Sequence, residues 1–178
     1  PVKNHKVIVI DAGHGGKDSG AKTELATEKD HTLSIAKKIQ NLARGSDVKV
    51  VLTRKNDEFV SLQDRVEIIN TAKADQLISL HINSSNSSSD NGYELYVSNN
   101  NGKYKESLAL ATQLTPYLPD EIAFNKIASA NFYLLRNINT PATLIDLGYL
   151  SNKKDADFIT SEAGQKKIAA SIWKALAK

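Results

Sequence analysis

Apolar residues recur along this chain in two rhythms, and their alternation predicts strands and helices in turn. Residues 6–11 are a β-branched run and read as a buried strand. Residues 28–43 carry Leu33, Ile35, Ala36, Ile39, Leu42 and Ala43 near helical spacing, with Thr27 as a plausible N-cap. Val48–Thr53 is a second strand. Ser61 is placed to cap a helix whose apolar positions Leu62, Val66, Ile69 and Ala72 share one side. Gln76–His81 is a third strand, and the Ser/Asn-rich stretch Asn83–Asn91 is a loop. Gly92–Ser98 reads as a strand, and Tyr104–Tyr117 as a helix that stops near Pro119. Phe132–Arg136 and Thr143–Gly148 read as two further short strands, a hairpin-like end that can include an antiparallel strand. Asp155–Ile159 reads as a short helix and Ala163–Ala177 as a final amphipathic one.

Strand–helix–strand alternation implies an α/β fold, a mostly parallel twisted sheet of about six strands flanked by helices. A length of 178 residues suits one domain spanning 1–178, with no internal repeat and no dividing linker. No apolar run approaches the roughly 20 residues of a membrane helix. The net charge of +3 is too small for a nucleic-acid footprint, which needs a clustered basic face. The chain has no cysteine, so disulfides and thiolate metal sites are excluded, and any metal falls to His and carboxylates. It lacks methionine and begins at Pro1, which reads as a trimmed domain. A monomer is the default expectation.

The chemistry-bearing residues stand where the pattern puts strand ends. His14 follows the first strand within Gly13-His14-Gly15-Gly16, and His81 closes the third within Leu80-His81-Ile82-Asn83. Carboxyl ends of parallel strands meet at one sheet edge, where ligand sites gather. Glu28 opens the following helix. Two imidazoles and a carboxylate there can hold one Zn²⁺ with a position left for water. The same residues also fit a plain reading, with tight turns at the histidines and Glu28 complementing the helix dipole. The glycine run lacks the spacing of a phosphate loop. His5 lies at the opposite strand end, and nothing selects His31. Asp146 is a single acid inside the apolar strand Thr143–Gly148, expensive there unless paired or useful. Arg65 and Asn83 are candidates, by position only, for substrate or oxyanion contact. Arg65 fits a structural ion pair at least as well.

Several segments together resemble the zinc-dependent N-acetylmuramoyl-L-alanine amidases of the amidase 3 type. They are Val9–Ala21, Glu28-Lys29-Asp30, Leu52-Thr53-Arg54 with Val60-Ser61-Leu62 and Arg65, Ala74-Asp75 through Asn83, and Leu134-Leu135-Arg136 with Pro141-Ala142 and Leu144–Asn152. They keep the family's order and cover nearly the whole chain. The resemblance implies one zinc held by His14, Glu28 and His81. It implies hydrolysis of the amide between N-acetylmuramic acid and L-alanine of peptidoglycan, by a secreted hydrolase of the cell wall or periplasm. It also implies a catalytic acid in the strand of Asp146, where the family usually carries Glu. Asp is shorter by about 1.5 Å, and a misplacement of that scale can cost about 100-fold in rate. The alternative is a weak or inactive homologue that keeps zinc and binds the wall, and Glu24 is a lesser candidate for a substitute acid. A zinc carboxypeptidase or deacetylase would use the same residue types. Some family members insert an inhibitory helix after the last ligand. Only ten residues separate His81 from Gly92 here, so an open site is expected.

Overall fold

The computed structural model describes residues 5–178. Its strands are β1 (Lys6–Ala12), β2 (Val48–Leu52), β3 (Gln76–Asn83), β4 (Tyr93–Val97), β5 (Phe124–Ser129) and β6 (Ala142–Tyr149). Its helices are α1 (Glu28–Leu42), α2 (Leu62–Thr71), α3 (Tyr104–Leu114), α4 (Tyr133–Arg136), α5 (Lys153–Thr160) and α6 (Glu162–Leu176). They build a single α/β domain around one six-stranded sheet, in the order β2-β1-β3-β6-β4-β5. The pairs β2–β1, β1–β3 and β3–β6 are parallel, β6–β4 is antiparallel and β4–β5 is parallel.

Two expectations are corrected. Phe132–Arg136 is not a strand but contains the one-turn helix α4. Leu134 and Leu135 are both buried. A strand would send neighbouring side chains to opposite faces, whereas the helical turn places both in one apolar cluster with Ile69 of α2 and Leu77 of β3. The antiparallel element is therefore not a hairpin within 132–148 but the contact of β6 with β4. The sixth strand is β5, which the apolar pattern did not disclose. It is an edge strand whose residues are exposed or half-buried, so burial imposed no alternation on it. The helix from Tyr104 ends at Leu114 and passes into a 3-10 turn that contains Pro116.

The period-two alternation divides the sheet into unequal faces. Ile8, Ile10, Ile78, Leu80, Leu95, Ile145 and Leu147 point to one face, beneath α1, α3, α5 and α6. Val9, Leu77 and Leu144 point to the other, covered only by α2, α4 and Ile138. Asp11, Ser79, His81, Glu94, Tyr96 and Asp146 fall on this second face by the same alternation. Its uncovered part is the floor of a cleft of about 890 Å³. On the covered face, α6 packs along α1 and supports the helix that opens with Glu28.

Ser61 caps α2 as expected, accepting from the Asp64 amide, while the Thr27 hydroxyl donates to Asp30 instead of capping α1. Ser161 closes α5 and caps α6 through the Gly164 amide at 3.0 Å. A Cβ at Gly164 would stand 1.9 Å from the Phe158 carbonyl oxygen. Gly164→Ala should therefore lower stability by about 1–3 kcal/mol, the usual result of forcing atoms into a packed corner. The urea unfolding midpoint measures it, and an unchanged midpoint would show that the α5–α6 corner yields freely.

Candidate metal centre and cleft

Two buried arginines shape the turn that carries His14. Arg65 donates from Nη1 to Asp11 Oδ1 at 2.6 Å and to the Ala12 carbonyl at 2.8 Å. Its Nη2 reaches the His14 carbonyl at 2.7 Å and its Nε the Val60 carbonyl at 3.0 Å. Arg54 donates from Nε to the Ala12 carbonyl at 3.0 Å, and from Nη2 to the carbonyls of Gly13 at 3.0 Å and Lys29 at 2.7 Å. Asp11 also accepts from the hydroxyls of Thr53 and Ser79. Burial alone would favour the neutral acid, but the Arg65 charge and these hydroxyls outweigh it and hold Asp11 below the usual carboxylate range.

The chain turns sharply under this clamp. His14 takes φ 61°, a left-handed conformation uncommon for a side-chain-bearing residue. Its imidazole enters the cleft beside His81, with ring centroids 5.0 Å apart. Glycine is needed where the rings crowd the backbone. A Cβ at Gly13 would lie 2.5 Å from His81 Cε1, and one at Gly20, itself at φ 63°, would lie 2.4 Å from Glu28 Oε2.

Glu28 is buried and joins both histidines. Its Oε1 lies 3.2 Å from His14 Nε2 and 2.8 Å from His81 Nδ1, and accepts from the Ile82 amide at 2.9 Å. Its Oε2 accepts from the Ala21 amide at 2.7 Å. Burial works against this charge, yet the hydrogen bonds to His14 and His81 hold Glu28 well below its ordinary value. Asp18 Oδ2 lies 2.8 Å from His14 Nδ1, and Asp18 Oδ1 accepts from the Gly20 amide. Burial would discharge the His14 imidazole, but Glu28 and then Asp18 raise its pKa to about 9.

Ligand atoms of His14, Glu28 and His81 all lie within 4.8 Å of one another. Two imidazole nitrogens and a carboxylate oxygen, without thiolates, are a donor set that suits a divalent ion such as zinc. The cluster fits a divalent cation for a physical reason as well. Two imidazoles facing one carboxylate oxygen each need a proton, and a single cation satisfies all three. Asp18 stands to His14 as carboxylates do that orient histidines at metal sites.

Asp146 pairs with His81 in the β3–β6 register and lines the same cleft. Its carboxylate has no hydrogen bond or ion pair among the described residues. Burial raises its pKa to about 6; the nearby histidines oppose the shift, and Glu28 and Glu94 add to it. Such a group can exchange protons near neutral pH. His14 and His81 keep 24% and 23% of their side chains exposed, and no helix crosses the connection from Ser84 to Gly92.

The other candidates sort by contact. Arg65 borders the cleft, and its fork is engaged by Asp11 and the backbone carbonyls, the arrangement of a structural ion pair. Asn83 lines the cleft; its Oδ1 accepts from the Ser84 amide, while its Nδ2 has no protein acceptor among the described residues. His31 is joined to Gln165 of α6, exposed His5 lies by the Asp47 carbonyl, and Glu24 is exposed and absent from the cleft lining. Asp11 and Arg54 were missed as builders of the site. Asp11 is an acid inside an apolar strand, the same signal that singled out Asp146. Asp18 carried no signal of its own beyond lying near His14.

The sequence profile of the family described as N-acetylmuramoyl-L-alanine amidase matches residues 8–178. A relative in Staphylococcus saprophyticus named "Probable cell wall amidase LytH" is 36% identical over 99% of this chain and 58% of its own length. "N-acetylmuramoyl-L-alanine amidase LytC" of Bacillus subtilis is 34% identical over 94% of this chain and 34% of its own length. This chain thus spans less than two thirds of either curated relative. The solved catalytic domain of CwlV, an N-acetylmuramoyl-L-alanine amidase from Paenibacillus polymyxa, superposes with a TM-score of 0.89 at 36% identity, covering 96% of each chain.

Two outcomes are expected of the metal centre. Metal uptake at pH 8 should release a proton, because His14 is charged below its pKa of about 9 and a metal takes only its neutral form. Release should fade as pH rises past that value; calorimetry in buffers of different ionisation enthalpy reads it, and no release at pH 8 would contradict the His14 environment described. Asp18→Asn should weaken zinc affinity about 10- to 100-fold in a chelator competition. Unaltered affinity would mean that Asp18 does not orient the ring.

Proposed function

This chain belongs to the N-acetylmuramoyl-L-alanine amidase family, and on that basis we propose that it is the catalytic domain of a zinc-dependent cell-wall hydrolase. Its substrate is peptidoglycan, and the bond it breaks is the amide between the lactyl group of N-acetylmuramic acid and L-alanine. The observation that carries this reading is the convergence of His14, Glu28 and His81 beside Asp146, a carboxylate with no hydrogen-bond or ion-pair partner among the described residues. The relatives named as cell-wall amidases support a site of action at the wall, outside the membrane. No helix among the described residues is long and apolar enough to cross a membrane.

His14, Glu28 and His81 would hold the zinc. Zinc bound there would supply Lewis acidity, which polarises a carbonyl and makes water more acidic. Asp18, 2.8 Å from His14 Nδ1, would fix the His14 ring and leave Nε2 free for the ion. Asp146 accepts a proton from the attacking water and returns it to the nitrogen of the departing L-alanine. The Asn83 side-chain amide offers a donor at the cleft wall for the oxygen that gains charge. Arg54 and Arg65 hold the turn of His14.

Incubating the zinc-loaded protein with purified sacculi and analysing the products by mass spectrometry tests the reading. Stem peptides with a free L-alanine amine should appear, and a chelator should abolish them. Asp146→Asn should lower kcat by at least about 100-fold, since a positioned proton-transfer group contributes about 10²–10⁴-fold. Sacculus binding without peptide release, from protein holding one zinc, would favour the wall-binding homologue. Cleavage elsewhere in the stem would favour a peptidase.

A further inference from the structure

One row of side chains crosses the cleft face of the sheet. His81 on β3 pairs with Asp146 on β6, Asp146 with Glu94 on β4, and Glu94 with Lys126 on β5. The two carboxylates in the middle are held very differently. Glu94 is buried, at 8% exposure, and fully engaged. Its Oε2 accepts from the Tyr96 hydroxyl at 2.5 Å. Its Oε1 accepts from the Tyr149 hydroxyl at 3.4 Å and faces Lys126 Nζ at 3.5 Å. Asp146 has no such tie among the described residues, so only its surroundings set the direction of its carboxylate.

Directly opposed side chains on antiparallel strands have Cβ atoms about 4.5–5.5 Å apart, and like charges in that position repel. Lys126 offsets part of the Glu94 charge, but its side chain is 51% exposed and solvent screens it. Glu94 is anchored by two hydroxyls and an ammonium, so it cannot swing away. Asp146 is the member of the pair free to turn.

We propose that Glu94 is a positioning residue, anchored by Tyr96, Tyr149 and Lys126, that drives the Asp146 carboxylate away from β4 and toward the His81 side of the cleft. The inference rests on Asp146 being the proton-transfer group. It explains how an aspartate can serve there: its carboxylate stops about 1.5 Å short of where a glutamate would reach, and a fixed push toward His81 makes its limited reach count in the useful direction. The tyrosines act through Glu94, by denying it other conformations.

A double-mutant cycle tests the proposal on the zinc-loaded protein, with kcat and KM measured on soluble muropeptides. Glu94→Gln keeps the shape and the acceptor oxygen but removes the charge. It should lower kcat about 10- to 100-fold, with KM, zinc content and melting temperature little changed. In an Asp146→Glu background the longer side chain does not need the push, so the same Glu94→Gln change should have a much smaller effect. If Glu94→Gln fails to fold, Tyr149→Phe, which loosens Glu94, should lower kcat in the same pattern. Equal losses in both backgrounds, or a loss matched by a drop in zinc content or melting temperature, would overturn the proposal and leave Glu94 a packing residue. Full activity of Asp146→Asn would separately refute the role of Asp146, and the proposal with it.

Discussion

The carbonyls of Ala12, Gly13 and His14 point at buried arginines, and the site depends on that arrangement. A left-handed histidine between glycines is not a low-energy local choice. It is held because Arg54 and Arg65 offer rigid, always-charged forks to successive carbonyl oxygens. Asp11 makes their burial tolerable by supplying the opposite charge, and Thr53 and Ser79 satisfy its remaining lone pairs. Removing either partner would strand a charge in the interior, which is far more damaging than losing an exposed pair. The clamp also draws in the Lys29 carbonyl on the helix of Glu28, so one buried network sets two of the three side chains of the candidate metal centre.

The third comes from β3 through register alone. His81 shares a face with Ser79, and Ser79 is bonded to Asp11, so the clamp and the metal centre share a strand. The same register delivers Asp146 from β6 and Glu94 from β4. The cleft exists because the chain sends α1, α3, α5 and α6 to one face and only α2 and the single turn of α4 to the other. The bared strip of sheet is where the polar members of the alternation lie. Phe59, Leu62 and Phe132 line the cleft and stay substantially exposed.

Much of this was legible in the sequence. Central strands and long helices announced themselves because burial imposes a period on them. His14 and His81 stood out at strand ends, and Asp146 as an acid within an apolar run. Glu28 looked like any first-turn acid, and only the ordered family resemblance separated it from that reading. The edge strand β5 was silent because half-exposed residues need no alternation. The turn at Phe132–Arg136 deceived because a short aromatic and aliphatic run fits a strand as well as a helical turn.

By itself, then, the sequence determined the α/β architecture and which few residues could carry chemistry, because both leave one-dimensional traces in periodicity and in the cost of burying a charge. Tertiary structure alone decided what each polar residue does. Arg65 became a clamp, Asp18 a support for His14, and Glu94 the neighbour of Asp146, because each role is fixed by a partner distant along the chain. Pairings at separations such as Arg65 to Asp11 or Asp146 to Glu94 are set by sheet register and strand order. Neither is written in local spacing.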